Sequence, residues 1–98
     1  MNIFISQPMN GKTTDEIISE RNSIIALAQK KFGKNVEIID SYFKNYIGNP
    51  LEYLGESIKL LSKADVVIFA KGWETARGCK IEHSCAEEYD IKIFEVEE

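Results

Sequence analysis

The chain has 98 residues, 44% of them hydrophobic, with 12 basic against 16 acidic side chains and a formal charge of −4. That length makes a single domain with a real but thin core, which a second copy of the chain would help to cover. The acidic balance argues against a general nucleic-acid or anionic-membrane surface, which needs a basic patch, while leaving room for a local basic pocket that holds one small anion.

Residues 2–6, Asn-Ile-Phe-Ile-Ser, read as a short apolar strand. The loop that follows is marked by Pro8 and by Asn10-Gly11. Thr13-Thr14-Asp15-Glu16 has the form of a capping box, with Thr13 accepting from the Glu16 amide and Glu16 reaching back. The helix that starts there is predicted to run to about residue 32. Ile17, Ile18, Ile24, Ile25, Ala28 and Phe32 lie on one stripe, and Gly33 suits the stop. Residues 35–39 read as the second strand, and the connection 40–49 holds Tyr42, Phe43 and Tyr46. Asn49-Pro50-Leu51-Glu52 signals the next helix, with asparagine at the cap and proline in the first turn. Its predicted buried face is Leu51, Leu54, Ile58 and Leu61, and Glu52, Glu56, Lys59 and Lys63 mark a solvated face.

Val66-Val67-Ile68-Phe69-Ala70 is rich in β-branched residues, bounded by charges and too short for a globular helix, so it reads as a buried parallel strand. The loop 71–76 leads into a third helix predicted from about residue 77 to 89, which carries Glu82. Residues 91–96 alternate at first and read as an edge strand. No apolar run approaches the ~20 residues that span a bilayer. The start, MNIFIS, carries no basic region or cleavage site of a signal peptide, so a cytoplasmic protein with no membrane partner is expected. Cys79 and Cys85 stand about 9 Å apart along one helix at ~1.5 Å per residue. That is too far for a disulfide, and free thiols in a reducing compartment are expected.

The order β-α-β-α-β-α-β implies right-handed crossovers and a parallel sheet. A single-domain α/β fold is expected, its four strands in the spatial order 2-1-3-4 and accompanied by three helices. Ligands of such sheets bind at the carboxyl ends of the strands, where the order reverses. Here that crevice lies between strands 1 and 3, lined by residues 6–12 and 71–82.

The first of these loops, Ser6-Gln7-Pro8-Met9-Asn10-Gly11-Lys12, runs into a helix start. Backbone N–H groups there, with Ser6 and Lys12, can hold an anion such as a phosphate. The glycine spacing is not that of a P-loop or a dinucleotide fingerprint, and a plain loop into a capped helix accounts for it as well. Glu82 is expected near the second turn of its helix, with Ile81 and Cys85 as core positions beside it and its own side chain turned toward the crevice. A carboxylate there can act as nucleophile or general base; a surface glutamate is the plain alternative. Arg77 and Lys80 stand in the first turn, where the helix dipole disfavours cations, a placement explained by a nearby anion or by solvation alone. Trp73 can stack on a base or cover the hydrophobic edge, and Tyr42 and Phe43 invite the same two readings. Cys79 and His83 offer two metal ligands without a third, so no metal is expected.

Three segments carry a resemblance: Ile3-Phe4-Ile5-Ser6-Gln7-Pro8-Met9-Asn10-Gly11, Ala64-Asp65, and above all Gly72-Trp73-Glu74-Thr75-Ala76-Arg77-Gly78-Cys79-Lys80-Ile81-Glu82-His83. On these the chain resembles the nucleoside 2-deoxyribosyltransferase superfamily, more closely its small, often phage-encoded members. The resemblance covers nearly the whole chain. It implies a flavodoxin-like, Rossmann-like three-layer fold, cleavage of the bond between a (deoxy)ribose and a base, and no cofactor. It assigns Glu82 the attack on the anomeric carbon and the loop from Ser6 to Lys12 a 5′-phosphate. Gly72, Trp73, Glu74, Arg77 and Gly78 fall around the substrate. It also implies a dimer or larger homo-oligomer with active sites at or near subunit contacts.

One position departs from the pattern. The enzymes carry an aspartate eight residues ahead of the Ala-Asp aspartate, where it assists protonation of the leaving base; here that position is Ser57, flanked by Glu56. A serine is no general acid near neutral pH, and losing one typically forfeits a factor of ~10²–10⁴ in rate. The expectation is a nucleotide N-glycosidase or deoxyribosyltransferase acting on a nucleoside 5′-monophosphate, with Glu82 catalytic and Glu56 as the substitute acid if one is present. The alternative is a non-catalytic nucleotide-binding protein that sequesters or senses its ligand, and a third reading is a small α/β protein acting through protein contacts. The expected partners are a small-molecule nucleotide or nucleoside and further copies of the chain, with no nucleic-acid polymer.

Overall fold

A computed structural model describes residues 1–97. It is an α/β fold in three layers. The strands are β1 (Asn2–Ser6), β2 (Glu37–Ile38), β3 (Val66–Phe69) and β4 (Lys92–Glu95). All pair in parallel, in the order β2-β1-β3-β4. This is the expected topology, and its reversal falls between β1 and β3. Ser6 pairs with Phe69, so the two central strands end side by side at one edge.

The central strands carry the apolar runs Ile3-Phe4-Ile5 and Val66–Phe69 because both of their faces are covered. Alternate residues serve opposite layers. Ile3, Ile5, Val66 and Ile68 pack with Ile24 and Ala28 of α1 (Thr14–Phe32) on one face. Phe4, Val67 and Phe69 pack on the other face, with Leu61 of α2 (Pro50–Leu61) and Ala86 of α3 (Arg77–Glu88). Fully burying a side chain such as Phe4 or Ile68 stabilises by about 1.5–3 kcal/mol. β4 has no fully buried residue and is an edge, as its alternation predicts.

Both expected capping boxes form. The Thr13 hydroxyl accepts from Glu16 N at 3.1 Å while Glu16 Oε1 accepts from Thr13 N at 2.8 Å. Asn49 and Glu52 make the equivalent pair at 2.9 and 3.0 Å. Each cap is worth about 1 kcal/mol. α3 starts without a side-chain cap, so its first N–H groups remain available at the carboxyl edge of the sheet. Among the described residues no helix is long and apolar enough to cross a membrane.

Several local expectations are corrected. The second strand is only Glu37–Ile38, because beyond Ile38 the chain leaves the ladder to reach Ser41 under the sheet edge. Ile18 is exposed, one residue off the buried stripe Ile17, Arg21, Ile24 and Ala28. On α2, Leu51 is 75% exposed and Ser57 is buried. On α3 the buried positions are Cys79, Glu82 and Ala86, whereas Ile81 is exposed. On α2 and α3 the reason is shared: Ser57, Cys79 and Glu82 line a cleft between the two helices and the end of β1, where polar partners replace the apolar sheet.

Candidate functional site

The site is built where β1, α2 and α3 converge. Ser6 is the last residue of β1 and is 2% exposed. Its hydroxyl donates to Glu82 Oε1 at 2.6 Å. The Ser57 hydroxyl, from the middle of α2, donates to Glu82 Oε2 at 2.7 Å. Both carboxylate oxygens are therefore fixed, and Glu82 keeps only 6% of its surface exposed. Its two hydrogen-bond partners are neutral hydroxyls, so the buried carboxylate is oriented without an ion pair.

Burial raises the pKa of Glu82 above the ordinary carboxylate value, and the Ser6 and Ser57 hydroxyls hold it down against that push. Cys79 lies one turn earlier on α3. Burial pushes its thiol up to about 11, a rise the Ser6 hydroxyl moderates and the Glu82 charge reinforces. The thiol is thus protonated at neutral pH and a poor nucleophile, which leaves the clamped Glu82 carboxylate as the group whose chemistry suits a base or nucleophile.

Above this carboxylate opens a cleft of about 1440 Å³, larger than the ~300–1,000 Å³ of a usual small-molecule pocket. One wall is aromatic. Phe43, Tyr46 and Tyr53 contact one another with ring centroids 5.0–5.9 Å apart. Tyr46 and Tyr53 face the cleft together with Met9. The Tyr53 hydroxyl accepts from Phe43 N at 3.1 Å and donates to Met9 Sδ at 3.6 Å. Gly48 makes room for this wall: a Cβ there would meet Tyr46 Cε2 at 2.6 Å.

Beneath the floor lies Arg21, 7% exposed. Its guanidinium donates to Gln7 Oε1 at 3.1 Å, to Ile39 O at 3.1 Å and to Ser41 Oγ at 2.9 Å. Ser41 passes the connection on to Ile5 O at 3.3 Å. Burial lowers the Arg21 pKa and the Asp40 charge opposes that fall. Arg21 thereby ties the loop after β1 to the chain after β2, the two segments that shape the cleft floor.

The residues singled out in the sequence divide into three groups. Ser6, Gln7, Pro8, Met9, Asn10, Ser57, Arg77, Gly78 and Glu82 all line the cleft. Gln7 nevertheless spends its side chain inward, donating to Ile17 O and Glu20 Oε1 as well as accepting from Arg21. Gly11 and Lys12 lie outside the lining, with Lys12 paired to Glu20 at 3.3 Å. Gly72, Trp73 and Glu74 border a separate, smaller recess. There a 3₁₀ turn, Trp73–Thr75, stacks the indole on His83 at 3.9 Å between ring centroids and 4° between planes. Trp73 also packs against the buried cluster under α3, which supports the edge-covering role among the two readings left open for it. Glu56 points to solvent beside Lys59, while its neighbour Ser57 turns inward.

Sequence reasoning missed Arg21, Ser41, Tyr53 and the inward turn of Cys79. Arg21 left a signal: it interrupts the apolar stripe Ile17, Ile24, Ala28 at a buried position, where a charge requires an explanation. Ser41 and Tyr53 left none, because their roles depend on where an irregular connection crosses the sheet edge. The chain belongs to the family described as "Domain of unknown function (DUF4406)", whose profile matches residues 1–95. Among curated proteins none matches it.

Proposed function

We propose that this DUF4406 member is a nucleotide N-glycosidase or (deoxy)ribosyltransferase-like protein, acting on the bond between base and (deoxy)ribose of a nucleoside 5′-monophosphate. One observation carries the reading: a buried carboxylate, both oxygens clamped by hydroxyls, at the bottom of a wide cleft on the carboxyl edge of a parallel sheet. The resemblance to the nucleoside 2-deoxyribosyltransferase superfamily puts the nucleophile at the same residue. In this reading one Glu82 oxygen attacks the anomeric carbon and forms a glycosyl ester, and the C–N electron pair leaves with the base. Water or a second base then opens the ester. Ser6 and Ser57 favour the ionised carboxylate and hold it in line. Arg77, Asn10 and the uncapped N–H groups of α3 are the groups suited to a 5′-phosphate.

Base release from a panel of ribo- and deoxyribonucleosides and their 5′-monophosphates, read by chromatography, tests the proposal. Release by the wild type that falls to background in Glu82→Ala and Glu82→Gln is the expected result. A wild type no more active than both variants on every member defeats it. A second reading, a nucleotide-binding protein without turnover, is favoured by Ser57, which donates to Glu82 where the enzymes hold an acid. Calorimetric binding without base release would select it. We also propose a homo-oligomer, supported by Ile47 and Leu51, which are 95% and 75% exposed beside the cleft. Light scattering that gives a monomer at high concentration would refute it.

A further inference from the structure

The carboxylates among the described residues lining the cleft reduce to one, Glu82. The Ser57 hydroxyl donates its hydrogen bond to that carboxylate. The other titratable groups on the walls are the Cys79 thiol, the Tyr46 and Tyr53 phenols and the Arg77 guanidinium. Cys79, Tyr46 and Tyr53 are all pushed up by burial, Cys79 to about 11, and a guanidinium does not give up its proton in proteins. His83 lies behind α3, stacked on Trp73 and 2.8 Å from Glu95 Oε2. Glu56 faces Lys59 on the solvent side. The cleft thus has a nucleophile and no efficient acid to protonate a departing neutral base.

Two positive features accompany that arrangement. Glu82 is a buried carboxylic group whose hydrogen-bond partners are neutral hydroxyls, so when it ionises to attack, a cationic ligand supplies a counter-charge that those partners do not. Tyr46 and Tyr53 offer aromatic faces beside it, and such faces attract a cationic ring. Resting on the glycosidase reading above, we propose that the substrate is a nucleotide whose base is already a cation at the glycosidic bond, a pyridinium or N-alkylated purine nucleotide. The balance closes without an acid. The Glu82 oxygen forms the bond to C1′, the C1′–N⁺ bond breaks, and its electron pair neutralises the ring, which departs uncharged. Water then opens the glycosyl ester, giving the free sugar phosphate and one proton to solvent, and Glu82 returns as carboxylate.

The test compares leaving groups on one scaffold. 7-Methylguanosine 5′-monophosphate is set against guanosine 5′-monophosphate, and nicotinamide mononucleotide against cytidine 5′-monophosphate. Base release is corrected for the background in Glu82→Gln, which keeps acceptor and donor atoms for both serines. Since acid assistance is worth ~10²–10⁴, each cationic base should be released at least about 10²-fold faster than its neutral counterpart. Release of the neutral bases within about tenfold of the cationic ones overturns the inference and leaves the glycosidase reading standing, with an acid supplied from elsewhere, such as a second copy of the chain. Glu82-dependent release from none of the four, nor from any other nucleotide, overturns both.

Discussion

Replacing Ser57 with alanine isolates one half of the carboxylate clamp. The Ser57 hydroxyl donates to Glu82 Oε2 at 2.7 Å and is itself 5% exposed, so water is poorly placed to take over the bond. A hydrogen bond to a charged group contributes about 1.5–3 kcal/mol. Removing it weakens the ionised form relative to the neutral one and so moves the Glu82 titration upward. The sign follows from the environment. Burial already holds the Glu82 pKa above its ordinary value, with the two hydroxyls opposing, and the substitution removes part of the opposition. The folded state binds this proton more tightly than the unfolded chain, so stability is greatest below the unfolded pKa and declines as pH rises through the folded one. In Ser57→Ala that decline extends to higher pH. Carbon-13 titration of the glutamate carboxyls reads the pKa directly, and urea unfolding at pH 4 and pH 8 reads its linkage. The expected result is a raised Glu82 midpoint in Ser57→Ala and in Ser6→Ala, with a stability loss of about 1.5–3 kcal/mol at pH 8 and much less at pH 4. An unmoved midpoint in both variants, or equal losses at the two pH values, refutes the clamp.

Glu82→Gln retains atoms for both hydroxyl contacts and removes the buried charge. It should melt above the wild type at pH 8, and the gap should close as pH falls through the raised Glu82 range, as melting curves across pH will show. Arg21→Met leaves Gln7 Oε1, Ile39 O and Ser41 Oγ without their shared donor. A loss of about 2–4 kcal/mol in urea unfolding is expected, and a loss below 0.5 kcal/mol, the size of an ordinary surface change, would show the network to be dispensable. Trp73→Phe should cost about 0.5–1.5 kcal/mol through the weakened stack on His83. It should leave the cleft's ligand affinity unchanged, because the indole borders the other recess; a tenfold weaker binding constant by calorimetry would return Trp73 to the binding site.

The topology was legible because its signals are local and agree with one another. Two capping boxes, three short apolar runs and an alternating edge leave few ways to connect four parallel strands by right-handed crossovers. Residue-level burial on β1 and β3 followed from the same runs, since a strand covered on both faces needs no phase to be assigned. The second strand was overdrawn because Val36 and Ile39 are apolar but lie outside the paired register, which holds only Glu37 and Ile38. Ile39 uses its carbonyl on Arg21 and its N–H on Ile3 O at 2.9 Å, at the point where the chain leaves the ladder.

Phase was the hard quantity on the helices. α2 and α3 each offer an apolar residue beside a polar one, Ile58 beside Ser57 and Ile81 beside Glu82, and helical periodicity favours burying the first of each pair. The structure buries Ser57 and Glu82 and leaves Ile58 half-covered and Ile81 exposed. Glu82 falls on the stripe of Cys79 and Ala86, three and four residues away, which the period allows, but hydrophobic patterning alone does not choose it. Neither polar residue could be buried alone: an unpaired carboxylate or hydroxyl in that position carries a full desolvation cost, added to that of leaving an isoleucine exposed. They go in together because each meets the other's need, with Ser6 from β1 as the third partner. A pair of helices that trades two apolar contacts for a clamped carboxylate has departed from the packing rule at one place, and that place is the floor of the cleft. Such local inversions are expected where function opposes stability, and here the inversion singles out Glu82 from a chain with 16 acidic residues.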